Sequence, residues 1–336
     1  MTKPEIISWL LEGDPSIRWQ VQRDLLNARP AKYELERRKI AKEGWGKRLL
    51  DLQDSSGLWG GGIYGPKWIS TTYTMLTLRL LGLQTNHPQA KQACKIFLDE
   101  GFYTDGGINF FSYSLKYSET CVTSMILALL AYFRYPDERI HAIASFVIGE
   151  QMSDGGWNCE SPKGATHSSF HTTISALEGL YEYECLFPEK KKIVRPVRAR
   201  GHEFLLAHRL YKSHRTGKVF DSKMTSMPFP PRWKYDFIRA LDYLRSCNAP
   251  RDERMSDAIE LLQMKQKKDG TWPMNSGMTG VKYFDLEKAG QPSRWNTLRA
   301  LRILNWWDKK YQLRWPHLLL EVNKIIHTKL VFIIGQ

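Results

Sequence analysis

The chain has 336 residues, with 49 Lys and Arg against 35 Asp and Glu for a formal charge of +14, and it is 42% hydrophobic and 12% aromatic. This composition excludes a mainly disordered chain, and at about 150 residues per domain the length first suggests two domains. No apolar run reaches the roughly 18 residues of a membrane-spanning helix, and the first residues lack the apolar core of a signal peptide.

In chain order, apolar residues at three- and four-residue spacing predict helices over Ser16–Leu26, Thr71–Leu83, Cys121–Phe133, Glu138–Gln151, His171–Tyr183, Tyr235–Leu244, Asp252–Gln266, Trp295–Trp306 and Tyr311–Lys329. Between them the chain repeats itself. Gln53-Asp-Ser-Ser-Gly57-Leu-Trp59, Gln151-Met-Ser-Asp-Gly155-Gly-Trp157 and Gln266-Lys-Lys-Asp-Gly270-Thr-Trp272 share Gln-x-x-x-Gly-x-Trp. Asp105-Gly-Gly-Ile108 and Arg215-Thr-Gly217-Lys-Val-Phe220 are weaker copies, and the five glycine turns are 49, 49, 62 and 53 residues apart. The helix after each turn is the more apolar on all sides, so it is expected inside and its predecessor outside.

The ends supply a sixth beat, because Pro15-Ser-Ile-Arg18-Trp19 is similar to Pro292-Ser-Arg294-Trp295. Ser16–Leu26 then reads as a sixth inner helix with Tyr311–Lys329 as its outer partner. The expected fold is all-α: one α/α toroid of about six helical hairpins over residues 1–336, closed through its termini and in need of no capping repeats. It replaces the two-domain division. The basic run Lys190–Arg200 reads as a solvated linker, and the Pro-rich Asp221–Arg232 segment as a loop over the barrel mouth.

The Gln-x-x-x-Gly-x-Trp turns resemble the QW motif of squalene and oxidosqualene cyclases, and the Gly-Gly turns followed by an inner helix resemble the repeats of protein prenyltransferase β subunits. The resemblance covers nearly the whole chain. The cyclase Asp-x-Asp-Asp acid is missing. The prenyltransferase pattern Lys-x-x-Asp-x-Cys is approached by Lys116-Tyr-Ser-Glu119-Thr-Cys121, and its His-Thr by Phe170-His171-Thr172. The resemblance thus implies Glu119, Cys121 and His171 as zinc ligands and catalytic residues, with Lys116 as a diphosphate contact. It departs where glutamate replaces aspartate, and where the family's further His and Arg give way to Trp68 and a run of serines and aromatics. It also implies an α-subunit-like protein partner.

The residues carry part of this unaided. Registering the inner helices puts Trp19, Thr71, Cys121, His171, Tyr235 and Trp295 in one layer, too aromatic and too functional for an ordinary core. Thiolate, imidazole and carboxylate would leave one zinc position open, as in a catalytic site. Cys159, His167 and His171 form a competing set, and the plain alternative is a buried Cys that packs as a small hydrophobe and a His that hydrogen-bonds the backbone. Lys67, Lys116, Arg232, Lys234, Arg294 and Arg18 stand where inner helices begin, a mouth suited to a diphosphate or merely a solvated rim. Arg23, Arg239 and Arg299 lie one turn deeper, where Glu178, Asp242 and Asp24 can pair with them in a structural network.

The +14 charge asks for an anionic partner, yet no nucleic-acid-binding module occurs. Five cysteines, an odd and sparse set, point to a reduced, cytoplasmic setting. The expected function is zinc-assisted prenyl transfer from a prenyl diphosphate by an isoprenoid-handling enzyme. Trp19, Trp68, Tyr235 and Trp295 would pack the isoprenoid, while Lys116, Arg232, Lys234 and Arg294 would hold the diphosphate. The alternatives are a non-catalytic ligand-binding or scaffold toroid, and a cyclase-like enzyme using Asp236 or Glu119 as its acid.

Overall fold

Three Gln-x-x-x-Gly-x-Trp segments fold into the same turn. Gly57, Gly155 and Gly270 take φ of +90°, +92° and +87°, the left-handed region that a side chain disfavours. The glutamine amide closes each turn by donating to that glycine's carbonyl, at 2.8, 2.7 and 3.0 Å. The tryptophan is fully buried, and its indole N–H donates ten residues back, to Leu49, Val147 and Leu262 carbonyls at 2.6–2.7 Å. Its backbone N–H donates forward to the hydroxyl of Thr71, Thr173 or Thr297, each at 3.0 Å. One turn therefore ties the helix before it to the helix after it.

The computed structural model describes residues 1–277 and 279–308. Among these the chain is mostly helical: α1 (Lys3–Leu11), α2 (Pro15–Gln20), α3 (Pro30–Arg38), α4 (Gly44–Leu50), α5 (Thr71–Leu81), α6 (Pro88–Gly101), α7 (Thr120–Tyr132), α8 (Arg139–Gly149), α9 (Phe170–Leu186), α10 (Lys191–Ala207), α11 (Phe237–Ser246), α12 (Ser256–Met264) and α13 (Arg294–Trp307). Side-chain caps start several of them. Asp14 accepts from Ser16 N at 2.9 Å, Asp236 from Arg239 N at 2.7 Å and Ser293 from Asn296 N at 2.9 Å. A single pair of two-residue strands joins β1 (Trp272–Pro273) to β2 (Pro292–Ser293), antiparallel. No helix among the described residues is long and apolar enough to cross a membrane.

The helices that follow the turns are the buried ones, as their composition requires: nearly every residue of α5 and α7, and most of α9, is inside. They touch in sequence. The Trp19 indole of α2 donates to Leu81 O at the end of α5, at 2.9 Å. Helix α5 packs on α7, and α7 on α9, where Gly179 permits close approach; a Cβ there would lie 2.6 Å from Ser124 O. An ion pair of 2.8 Å between Glu178 and Arg239 links α9 to α11. Helix α11 packs on α13, and α13 on α2. Outside them, α6 covers α5 and α7, α8 covers α7 and α9, α10 lies on α9, and α12 on α11.

Several expectations change. The basic run is not a linker but the first half of α10, because Val194, Val197 and Phe204 fall on one face and are buried while the lysines face outward. The Ser16–Leu26 helix is α2 followed by a π-helical turn, Val21–Leu25. The turn at Gly217 keeps its positive φ, but Val219, standing where the other turns carry tryptophan, is 46% exposed, and Phe220 after it is 61% exposed. Tyr311–Lys329, the proposed outer partner of the sixth hairpin, lies outside the described residues.

Candidate functional site

The inner helices bring an unusual amount of charge together. Glu178 accepts from Arg239 at 2.8 and 3.2 Å and from Arg79 at 3.4 Å, while Glu182 accepts from Arg79 at 2.9 Å. Asp242 accepts from Arg245 at 2.9 Å and from Arg302 at 2.8 Å, and Arg302 reaches on to Asp24 at 3.0 Å. Burial pushes the Asp24 carboxyl up, but Arg23 and Arg302 beside it prevail and hold it down to about 2. Asp242 is held well below the usual carboxylate range in the same way, by Arg302 and Arg245 against its burial.

These side chains wall a cavity of about 220 Å³, with Trp19, Phe229 and Trp295 as its aromatic face. Phe229 is stacked on Trp295, ring centroids 4.0 Å apart, so the Pro-rich segment enters the molecule instead of merely covering it. A second cavity of about 350 Å³ holds Trp68 in its wall and shares Thr77, Phe229, Pro230 and Arg232 with the first.

Two arginines here lack what the others have. Arg232 touches both cavities and makes only long hydrogen bonds, to Trp68 O at 3.4 Å and Thr77 Oγ1 at 3.3 Å; burial pulls its guanidinium down to about 10. The Arg299 side chain is 4% exposed and its closest carboxylates, Asp236 and Asp242, stand off at 3.8 and 4.0 Å. Its Nη1 has no hydrogen-bond partner among the described residues. Burial pulls Arg299 down as well, against the opposing pull of Asp236 and Asp242.

The chain matches no family model and no curated protein sequence. The site is therefore judged on geometry.

The residues expected from the sequence divide into two groups. Trp19, Arg232 and Trp295 line the first cavity and Trp68 the second one. Tyr235 is buried, its hydroxyl on Leu210 O. Arg294 turns away, donating to Trp9 O at 2.9 Å with its guanidinium over the Trp9 ring. Arg18 pairs with Glu36 and Glu43, and Lys116 is exposed with its Nζ on Ser112 O at 2.9 Å. Lys67 and Lys234 both lie over the Trp233 ring, at 5.7 Å, as a basic rim. Asp236 spends one oxygen capping α11, and its burial raises the carboxyl.

The zinc set is not brought together in this arrangement. His171 Nδ1 accepts the Tyr235 backbone N–H at 2.8 Å, which leaves the ring proton on Nε2 and neither nitrogen with a spare lone pair. Burial pulls the ring down to about 4, so it is neutral at ordinary pH. The Cys121 thiol hydrogen-bonds to Cys159, not toward His171. Glu119 stands at the start of α7, raised by its partial burial. Among the described residues no three His, Cys, Asp or Glu side chains gather to hold a metal.

The Cys121–Cys159 contact has a consequence for reactivity. The Cys121 hydrogen bond, aided by the Thr172 hydroxyl and opposed by burial, pulls the Cys159 thiol down to about 7. Cys94, by contrast, is pushed up to about 12 by burial. Because the thiolate is the nucleophile, iodoacetamide is expected to label Cys159 first, with a rate that rises through about pH 7 and levels above it. Mass spectrometry of partially labelled protein reads this directly. Equal labelling of Cys159 and the exposed Cys185 would remove the assignment, and Cys121→Ser is expected to move the inflection upward.

Arg79, Glu182, Arg245 and Arg302 were not among the sequence candidates. Their signal is a charged residue inside the most buried helices, as in Thr-Leu-Arg79-Leu-Leu of α5. Such a residue demands a partner across the helix interface.

Proposed function

We propose that α2, α5, α7, α9, α11 and α13 close into a ring, making the chain an α/α toroid, and that its central cavity binds a small amphipathic organic anion. The single observation that carries the reading is Arg299 Nη1, buried with no hydrogen-bond partner among the described residues, in a wall shared with Trp19, Phe229 and Trp295. A buried guanidinium with no contacting carboxylate is costly. An anionic group placed between Arg232 and Arg299 would supply charge-assisted hydrogen bonds, and the aromatic face would take the apolar part of the same molecule. Resemblance to prenyltransferases and terpenoid cyclases makes a short prenyl diphosphate the first ligand to try.

Binding is the function supported here, and alkyl transfer is not assigned, because no three metal-ligating side chains gather among the described residues. The test is titration of the full chain with geranyl diphosphate, read by tryptophan fluorescence from Trp19 and Trp295. Saturable binding is expected, weakened by about tenfold or more in Arg232→Gln, the loss of roughly one charge-assisted hydrogen bond. The same substitution is expected to leave the urea midpoint unchanged or higher, since Arg232 has no carboxylate to leave behind. Folded protein that binds neither geranyl diphosphate nor diphosphate ion defeats the proposal. Metal analysis runs alongside it: one zinc per chain, lost in Cys121→Ala and in His171→Ala, would restore the transferase reading.

A further inference from the structure

A third cavity, a groove of about 780 Å³, lies away from the central one, between the start of α9, the C-terminal end of α10 and the turn that follows it. Its walls are aromatic. Phe170 sits 5.4 Å from both Phe204 and Phe220, ring centre to ring centre, and 5.1 Å from His208.

His208 caps the end of α10 and its Nδ1 lies 2.8 Å from the Phe204 carbonyl. A carbonyl only accepts, so the imidazole proton is on Nδ1 and Nε2 carries a bare lone pair. That lone pair faces His214 Nδ1 at 2.9 Å, with the two rings nearly perpendicular at 88°. His214 is exposed, but the turn carrying it is fastened by the Lys212–Val219 bridge and by Ser213 N on Lys218 O and Gly217 N on Ser213 O, both 2.8 Å. Without a ligand, the His214 Nδ1–H donates to His208. If that proton moves to the exposed Nε2, two nitrogens 2.9 Å apart each carry a lone pair.

We propose that His208 Nε2 and His214 Nδ1 form a two-histidine site for a divalent transition-metal ion, independent of the central cavity. With metal–nitrogen bonds of about 2.0–2.1 Å, the observed 2.9 Å separation corresponds to a nitrogen–metal–nitrogen angle of about 90°. These are adjacent positions of a square or octahedral set, whereas a tetrahedral ion needs its ligands about 3.3 Å apart. Cu²⁺ and Ni²⁺ therefore suit the site better than Zn²⁺, in agreement with their order of affinity for imidazole. The His208 bond to Phe204 O is the kind of outer contact that fixes a ligating ring in one tautomer. Burial pulls the His208 imidazole below its ordinary value, the direction that favours the neutral, ligating ring. No third His, Cys, Asp or Glu completes a set among the described residues, so the remaining positions fall to water or to a donor atom of a molecule seated in the groove.

The experiment is calorimetric titration of the untagged full chain, stripped with EDTA, with Ni²⁺ and then Cu²⁺ at neutral pH. One saturable site is expected, with affinity lowered by about tenfold or more in each of His208→Gln and His214→Ala and no further in the double variant. His87→Ala, at a histidine outside the groove, is expected to bind as the parent does. Since His214 is exposed, its removal leaves the fold intact, and circular dichroism of both variants checks this. Unchanged affinity in both variants, or no saturable binding of either ion up to about 1 mM, overturns the site.

Discussion

Asp242→Ala is expected to destabilise the chain by about 3–5 kcal/mol, the usual result of removing one partner from a buried ionic cluster. The carboxylate accepts from Arg245 and Arg302 at 2.9 and 2.8 Å and stands 4.0 Å from Arg299. Without it Arg302 keeps Asp24 and Arg299 keeps Asp236 at 3.8 Å, while Arg245 loses the carboxylate it donates to at 2.9 Å. Urea denaturation followed by circular dichroism measures the loss, and a change below about 1 kcal/mol would place the cluster among surface-like pairs. The effect should also depend on pH. Both Asp24 and Asp242 are held below their unfolded values, so their contribution is complete above the unfolded aspartate pKa of about 3.9 and is lost as pH falls. For Asp24 that loss is spread from about pH 4 to about pH 2. The gap between parent and variant is therefore expected to narrow at pH 3 compared with pH 7.

Much of the helical order was legible because burial on all sides leaves a compositional trace. Thr71–Leu83 and Cys121–Phe133 contain few charges and became α5 and α7 with shifts of one or two residues. The basic run at Lys190–Arg200 misled because lysine and arginine were counted without their phase. Val194 and Val197, spaced by three residues, carry the buried face of α10, Arg198 joins it by pairing with Glu184, and the lysines lie off that face. The weak copy at Gly217 marks the limit of reading a turn by its glycine alone. Gly217 bends the chain, but Val219 stands in place of tryptophan and has no indole N–H to reach back to a helix carbonyl.

The cavity was legible in its parts more than in its position. Helix register puts Glu178, Asp242 and Asp24 within reach of Arg23, Arg239 and Arg299; Arg239 pairs with Glu178 and Arg23 with Asp24, while Arg299 stands off from Asp242 at 4.0 Å. Register does not say which arginine is left short of partners, because that depends on distances of a few tenths of an ångström. Cys121 and His171 share a level on neighbouring helices, yet a shared level does not make side chains meet. His171 is claimed by the Tyr235 amide and Cys121 by Cys159, and both partners come from loops whose paths the helix periodicity leaves open.

Trp157→Ala is the other substitution expected to cost about 3–5 kcal/mol, from lost burial and the cavity it leaves. The indole is inaccessible and packs so closely on α10 that a Cβ at Gly201 would lie 2.8 Å from Trp157 Cζ3. Its N–H holds the Val147 carbonyl at 2.7 Å, which is stranded when the ring is gone. Thr173→Val removes the other half of the same tie, the hydroxyl that accepts the Trp157 backbone N–H at 3.0 Å, at a cost of about 1–3 kcal/mol for an unsatisfied buried donor. Because both residues serve one turn, the double variant should lose less than the two losses added together. Phe220→Ala supplies the contrast: that side chain is 61% exposed, and a change within about 0.5 kcal/mol is expected. Chemical denaturation of the four variants decides the matter. If Phe220→Ala cost as much as Trp157→Ala, stability would track the glycine turns and not the indole-to-carbonyl ties, and the tryptophan repeats would lose their structural meaning.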